Sequence, residues 1–375
     1  MLDKNTAINK CMKITVKAPG KLYLAGEYAV VSPNQSALVF AVDAFIELSA
    51  FTNETREIID NDGSRYLWEL NDLKEVVING DYDNDLSLTA SAMTVSLNYV
   101  SQKLNIDISG LNFALEISSD LQNSAGKKYG FGSSGAASVA TCRAILMLFQ
   151  IDSIFSQDEF QILIFKLAAL SQIRLRKLGS FGDLAASSLG GMVHYQNFDR
   201  SFIQEVGIEN SSIKSLTEIE WPGLILRSIE LPQDWELSII WSEKTSSTEE
   251  LLKFKGKELP ETETKLFLQK SNKIIFNLIE AIKDADWSKF ALNLKNNADL
   301  ISEHLEKQFR PYHLEIFELA QEIAEKNSAI FKISGSGAGD CAIAISQNHA
   351  EAMKVRENWK SAGLKVLSHK LWKGI

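Results

Sequence analysis

With 375 residues, 45% of them hydrophobic and 23% charged, the chain is long enough to bury a sizeable core and to divide into two domains. A formal net charge of -9 with no basic arm excludes a general nucleic-acid surface, so an anionic ligand would need a local basic pocket. Three scattered cysteines (Cys11, Cys142, Cys341), five histidines without a close pair and apolar runs too short to cross a bilayer argue against a disulfide framework, a histidine metal site and a membrane protein.

The first twenty residues lack an apolar core of signal-peptide length, and a soluble cytoplasmic protein is expected. Lys13 to Ala18 alternates with β-branched residues and predicts a strand ending at Pro19-Gly20. KLYLAGEYAVV, Lys21 to Val31, follows, and its plain reading is a strand, a turn at Gly26 and surface charges at Lys21 and Glu27. Ala37 to Phe51 predicts a long strand, with shorter ones near Arg56 to Asp60 and Ser64 to Leu70; Leu86 to Leu104 has helical composition, and Leu111 to Ser118 reads as another strand.

The stretch from Gly126 to Ala140, GKKYGFGSSGAASVA, places three glycines in six residues before an alanine-rich helix predicted to run to about Gln150. Gly130, Gly132 and Gly135 let backbone N–H groups approach a ligand, the helix start leaves its first N–H groups unsatisfied, and Ser133 or Ser134 is expected to cap it. With Lys127 and Lys128 beside the loop, this construction suits a phosphate. The spacing matches G-x-G-x-x-G, but the polar segment Ser119 to Gly126 separates it from the preceding strand, and no Gly-Lys-Ser/Thr closes it. Neither the dinucleotide fold nor the P-loop is therefore indicated, and an ordinary glycine turn stays open as an alternative.

Asp158 to Leu178 has the spacing of a helix with one buried face, and its end gathers Arg174, Arg176 and Lys177, which by themselves could simply be solvated cations favoured by the helix dipole. GSFGDLAASSLGG follows, with Asp183 as its lone acid. A domain boundary is placed at residues 210 and 211, giving domains 1–210 and 211–375. Gly223 to Ile229 and Glu236 to Trp241 predict strands, Ser246 to Thr248 lies in a charged segment that could be mobile beside a site, and helices fill most of Lys265 to Lys326. A second glycine cluster, KISGSGAGDCAIAI from Lys332 to Ile345, sits between two strands.

Three separated stretches, KAPGKLYLAGEYAVV, GKKYGFGSSGAASVA and KISGSGAGDCAIAI, resemble in order and separation the signature motifs of the GHMP small-molecule kinases. With GSFGDLAA added, the wording is most similar to the bacterial phosphomevalonate kinases, and the resemblance spans nearly the whole chain. It implies a two-lobed α/β (α+β) kinase, with a ribosomal-S5-domain-2-like N-terminal domain and a ferredoxin-like C-terminal domain. ATP would lie over Lys128, Gly130, Gly132, Ser133, Ser134 and Gly135, with Ser134 close to Mg²⁺. Lys21 and Asp183 match the family's catalytic pair, while Ser180, Gly335, Gly337, Gly339 and Asp340 would line the acceptor site. Phe131 in place of the usual leucine and Ala338 in place of a glycine are the departures.

The implied reaction is ATP-dependent phosphorylation of 5-phosphomevalonate; a mevalonate kinase or a catalytically silent metabolite sensor of the same fold are the alternatives. A phosphate acceptor, with a second pKa near ~6, needs no base to be a nucleophile. Asp183 is therefore expected to orient Lys21 and the acceptor, while Arg174, Arg176 and Lys177, in a segment without an acid, are candidates to touch the acceptor phosphate beside the alternative of a solvated helix end. The composition would suit a homodimer without selecting one.

Overall fold

Strand β1 (Lys13–Ala25) runs through the Pro19-Gly20 pair at which its end is predicted. Proline is tolerated because β1 pairs only with β2 (Ser36–Thr52), and the ladder steps by a bulge between Pro19 and Gly20. The computed structural model describes residues 12–82, 84–177, 179–206, 212–244, 257–310, 312, 314–337 and 339–374. The Ser246 to Thr248 segment and Ala338 lie outside them.

The first lobe is an eight-stranded mixed sheet. Along it lie β5 (Val76–Ile78), β4 (Arg65–Leu70), β3 (Glu57–Ile59), β6 (Phe113–Ser119), β2, β7 (Met192–Gln196) and β8 (Ile225–Ile229), with β1 on the other side of β2. β8 pairs antiparallel with β7, so the sheet extends past the expected boundary at residue 210; a division by sheet membership falls between β8 and β9 (Glu236–Trp241). β6 and β7 take opposite ends of β2, at Ile46–Thr52 and Ser36–Phe40. The chain's last segment fills the gap between them: Asp43 N donates to Lys370 O (3.0 Å), Trp372 N to Ala41 O (2.9 Å) and Gly191 N to Trp372 O (2.8 Å).

Helices α1 (Asn84–Leu104), α2 (Ser133–Leu148), α3 (Gln157–Arg174) and α4 (Gly182–Leu189) pack with this sheet, and the short α5 (Arg200–Val206) and α6 (Ile213–Glu218) follow. α2 is buried from Gly135 to Leu146, and its alanines let β1, β2, α1, α3 and α4 all approach closely. Arg143, within α2, donates to Lys17 O (2.6 Å) and Ser188 O (2.9 Å), pinning α2 to β1 and α4; burial pulls its pKa down to about 10. α3 starts at a capping box in which Ser156 and Glu159 satisfy each other's backbone N–H groups.

The second lobe is a four-stranded antiparallel sheet of order β10 (Ile330–Ile333), β11 (Cys341–Ser346), β9, β12 (Lys365–Leu367). Helices α7 (Glu261–Lys283), α8 (Trp287–Lys307) and α9 (Glu315–Lys326) fall between β9 and β10, and α10 (His349–Ser361) between β11 and β12. This is the ferredoxin-like βαββαβ order. The β10–β11 connection reaches the first lobe, where Tyr23 N donates to Ser334 Oγ (2.8 Å) and Ser334 Oγ to Tyr23 O (2.9 Å).

Candidate active site

The glycine loop enters α2 through a left-handed residue, Gly132 (φ 75°), which is the N-cap; Ser133 and Ser134 are the first helical residues, and no side chain caps the helix. The expected serine cap is therefore corrected: a serine cap needs extended backbone, and the left-handed turn has taken that position. The helix also ends at Leu148, before Gln150. What remains is a helix start whose backbone donors are not met by a side chain, beside a loop with glycine at each close approach. Aromatic rings brace the loop from behind: Tyr129 packs on Trp241 (4.9 Å between centroids), and buried Phe131 on His369 (5.4 Å).

Lys21 and Asp183 converge on this loop. Lys21 N donates to Phe131 O (2.7 Å), fixing β1 to the loop, and Lys21 Nζ donates to Gly130 O (3.3 Å). The Lys21 stem lies so close to Gly132 that a methyl group there would sit 3.0 Å from its Cε. Asp183, in the first turn of α4, rests on Gly135; a methyl group on Gly135 would lie 2.3 Å from Asp183 Oδ2. Burial pushes the Asp183 carboxyl above the ordinary aspartate range, and Lys21 opposes that shift. The plain reading of Lys21 and Glu27 as surface charges does not hold, since Lys21 is half-buried in the site and Glu27 is buried.

Of the residues expected at the acceptor, Ser180 shares a hydrogen bond with the buried Tyr23 hydroxyl (2.6 Å) one turn before Asp183. Asp340 packs on Gly130, where a methyl group would lie 2.3 Å from its Cγ, so the third motif closes against the second. Gly335 and Gly337 follow Ser334 in the β10–β11 connection. Gly335 N donates to Glu27 Oε1 (3.4 Å), and Gly337 lies against the Tyr312 ring. Gly339 is buried beside them.

The basic residues sort less simply. Lys128 pairs with Asp85 (2.6 Å), Lys127 reaches Glu243 O, and Arg174 pairs with Glu75 (2.5 Å). Arg176 is exposed in a left-handed turn after α3, and Lys177 N donates to Gln172 O (3.0 Å). Among the described residues no cluster of three or more His, Cys, Asp or Glu side chains could hold a metal, and no helix is long and apolar enough to cross a membrane.

Residues 91–191 match the model of the GHMP kinases N terminal domain and residues 278–365 that of the GHMP kinases C terminal domain, together half of the chain and in the expected order. The chain belongs to the GHMP kinases. It is 29% identical over 366 residues to phosphomevalonate kinase of Streptomyces sp. (strain CL190), covering 92% of this chain and 94% of that one. Among solved structures, a Lin0012 protein from Listeria innocua matches with a TM-score of 0.83 and 28% identity over 96% of this chain and 97% of that one. Streptococcus pneumoniae phosphomevalonate kinase in complex with phosphomevalonate and AMPPNP matches with a TM-score of 0.79 and 24% identity over 95% and 99%.

Three features around these residues escape a reading of motifs. Glu27 forms a buried ion pair with Lys332, joining the first motif to the third across the lobes. Both are visible only as isolated charges in apolar strings, which is the one signal that could have found them. Tyr23, beside Lys21 in the same strand, bridges Ser334 and Ser180, and Gly182 is glycine because a methyl group there would lie 2.2 Å from the Tyr23 hydroxyl. Arg200, far from any motif, stacks on Phe181, two residues before Asp183.

Proposed function

We propose that this GHMP kinase transfers the γ-phosphoryl group of ATP to 5-phosphomevalonate, yielding 5-diphosphomevalonate and ADP in the mevalonate route to isoprenoids. The observation that carries the reading is the convergence of Lys21 and Asp183 on an uncapped helix start behind a glycine loop. The near-full-length likeness to a phosphomevalonate kinase selects the acceptor.

Phosphoryl transfer asks little covalent work of a protein; it needs aligned oxygens and neutralised charge. The Gly130 to Gly135 backbone and the start of α2 would cradle the triphosphate, with Lys21 between it and the acceptor. Mg²⁺ would be held by the hydroxyl of Ser134, which stands in the first turn of α2 beside the glycine loop, and by substrate phosphate oxygens, and would supply charge neutralisation. The remaining chemistry belongs to the chain. Two anions must approach, and Lys21 lowers their repulsion while Asp183, which shares the Gly132 surface with it, balances the ammonium's charge.

Asp183 acts here as a positioning group, because an acceptor phosphate is already mostly dianionic at neutral pH. The Asp183→Asn variant should lose turnover yet keep an acidic limb near pH ~6, set by the acceptor. A limb that vanishes with the carboxylate would make Asp183 a base. Its folded-state pKa is raised, so burying the ionised form costs stability as pH rises above the unfolded value; Asp183→Asn should therefore melt no lower than the parent at pH 7.

The reaction itself is tested by ADP release with mevalonate, phosphomevalonate and diphosphomevalonate in parallel. Rapid release with phosphomevalonate alone is expected. Turnover of mevalonate would make the protein a mevalonate kinase, and binding without ADP release would make it a sensor.

A further inference from the structure

Strand β7 carries the chain back from the far end of α4 toward the end at which Asp183 sits, and Arg200 follows it after a short turn. That turn is fixed from both sides. Asn34 N donates to Asn197 O (2.8 Å), and Asn197 Nδ2 donates to Val30 O (2.9 Å), in the segment that follows Glu27. Arg200 is thereby delivered to the Asp183 end, where its guanidinium lies 4.3 Å from the centroid of the Phe181 ring. Phe181 is itself stacked on Phe198 at 5.9 Å and 12°, so the guanidinium plane rests on a fixed platform.

Arg200 has no acidic partner among the described residues. The neighbouring Asp199 turns away and accepts from Ser201 N (2.9 Å) and Ser201 Oγ (2.6 Å). Arg200 Nε and Nη2 are shielded from solvent and meet no hydrogen-bond acceptor among the described residues. Leaving such donors unmet is costly, and these two form one edge of the guanidinium, the pair of parallel N–H groups that takes a carboxylate side-on.

We propose that Arg200 binds the carboxylate of the acceptor and so sets which anions the kinase accepts. This rests on the reading of the substrate as 5-phosphomevalonate, which is anionic at both ends. Lys21 and the glycine loop reach Asp183 through Gly132 and Gly135, whereas Arg200 reaches it through Phe181. The two cations thus address the two ends of the acceptor, the phosphate at Lys21 and the carboxylate at Arg200. Because the Arg200 edge is shielded from water, an ion pair made there is weakly screened.

The test is steady-state kinetics of Arg200→Met and Arg200→Lys with phosphomevalonate and with its carboxamide, alongside melting curves. Arg200→Met should raise KM for phosphomevalonate by roughly 10- to 100-fold, leave KM for ATP within about twofold, and match the parent on the carboxamide. Arg200→Lys should recover only part of the loss, since lysine has no fork. Equal losses on both acceptors, or an unchanged KM for phosphomevalonate, would overturn the assignment. If Arg200→Met fails to fold, Arg200→Lys is read by the same comparison. Should the parent enzyme phosphorylate mevalonate instead, the acceptor reading falls, and Arg200 is tested on mevalonate and its carboxamide, since that acceptor carries the same carboxylate.

Discussion

Replacing Lys21 by methionine is expected to lower kcat by about 10²- to 10³-fold, with a much smaller change in KM for ATP and a lower melting temperature at neutral pH, where the buried Asp183 carboxylate loses its counter-charge. Methionine keeps the aliphatic stem that packs on Gly132 and removes only the ammonium that donates to Gly130 O at 3.3 Å. That ammonium also lies 5.5 Å from the Tyr23 ring centroid, so two contacts hold it, and it offsets the charge of Asp183. A group held this firmly before the reaction stabilises developing charge without reorganising, and its removal is felt in turnover more than in nucleotide binding. Steady-state kinetics against both substrates separates the two.

The second large effect comes from one methyl group. Gly135 lies in the first turn of α2, and helix propensity alone predicts that Gly135→Ala would stabilise the protein by roughly 0.5–1 kcal/mol. The new Cβ, however, would sit 2.3 Å from Asp183 Oδ2, 2.7 Å from its Cγ and 3.0 Å from its Cβ. Aspartate is too short to swing clear while its Oδ1 accepts from Leu184 N at 3.0 Å, so the carboxylate must give up that bond or α4 must shift. Activity should fall by about 10²-fold, the cost of a displacement near 1 Å at a reacting centre, while the melting temperature changes by no more than a few degrees. Loss of folding instead of activity would show Gly135 to be a packing glycine unconnected with Asp183.

The candidate site was legible where its pattern is local. The glycine loop and the second glycine cluster each advertise themselves within a dozen residues, because close backbone approach needs glycine at fixed offsets, while Lys21 stood out only through the family resemblance. The strand at Glu236–Trp241 follows from alternation in the same way, whereas the ferredoxin-like order of the second lobe was implied by the family resemblance and not by any local pattern. Illegible were the parts made by long-range meetings. Glu27 and Lys332 are 305 residues apart, and neither shows in sequence that it is the other's counter-ion. Arg200 reads as an ordinary residue at a short helix; only the fold puts its guanidinium on Phe181. The RLRKL end drew attention by charge density, yet Arg174 is tied to Glu75. The serine cap failed because a left-handed glycine competes for the same position, and the early end assigned to β1 failed because an edge strand absorbs a proline that a central one could not.

The most direct measurement is a crystal structure of the protein grown with a non-hydrolysable ATP analogue and phosphomevalonate. The triphosphate should lie on the Gly130 to Gly135 backbone with Lys21 Nζ between its terminal phosphate and that of the acceptor. A triphosphate bound elsewhere, with Lys21 touching neither phosphate, would contradict it.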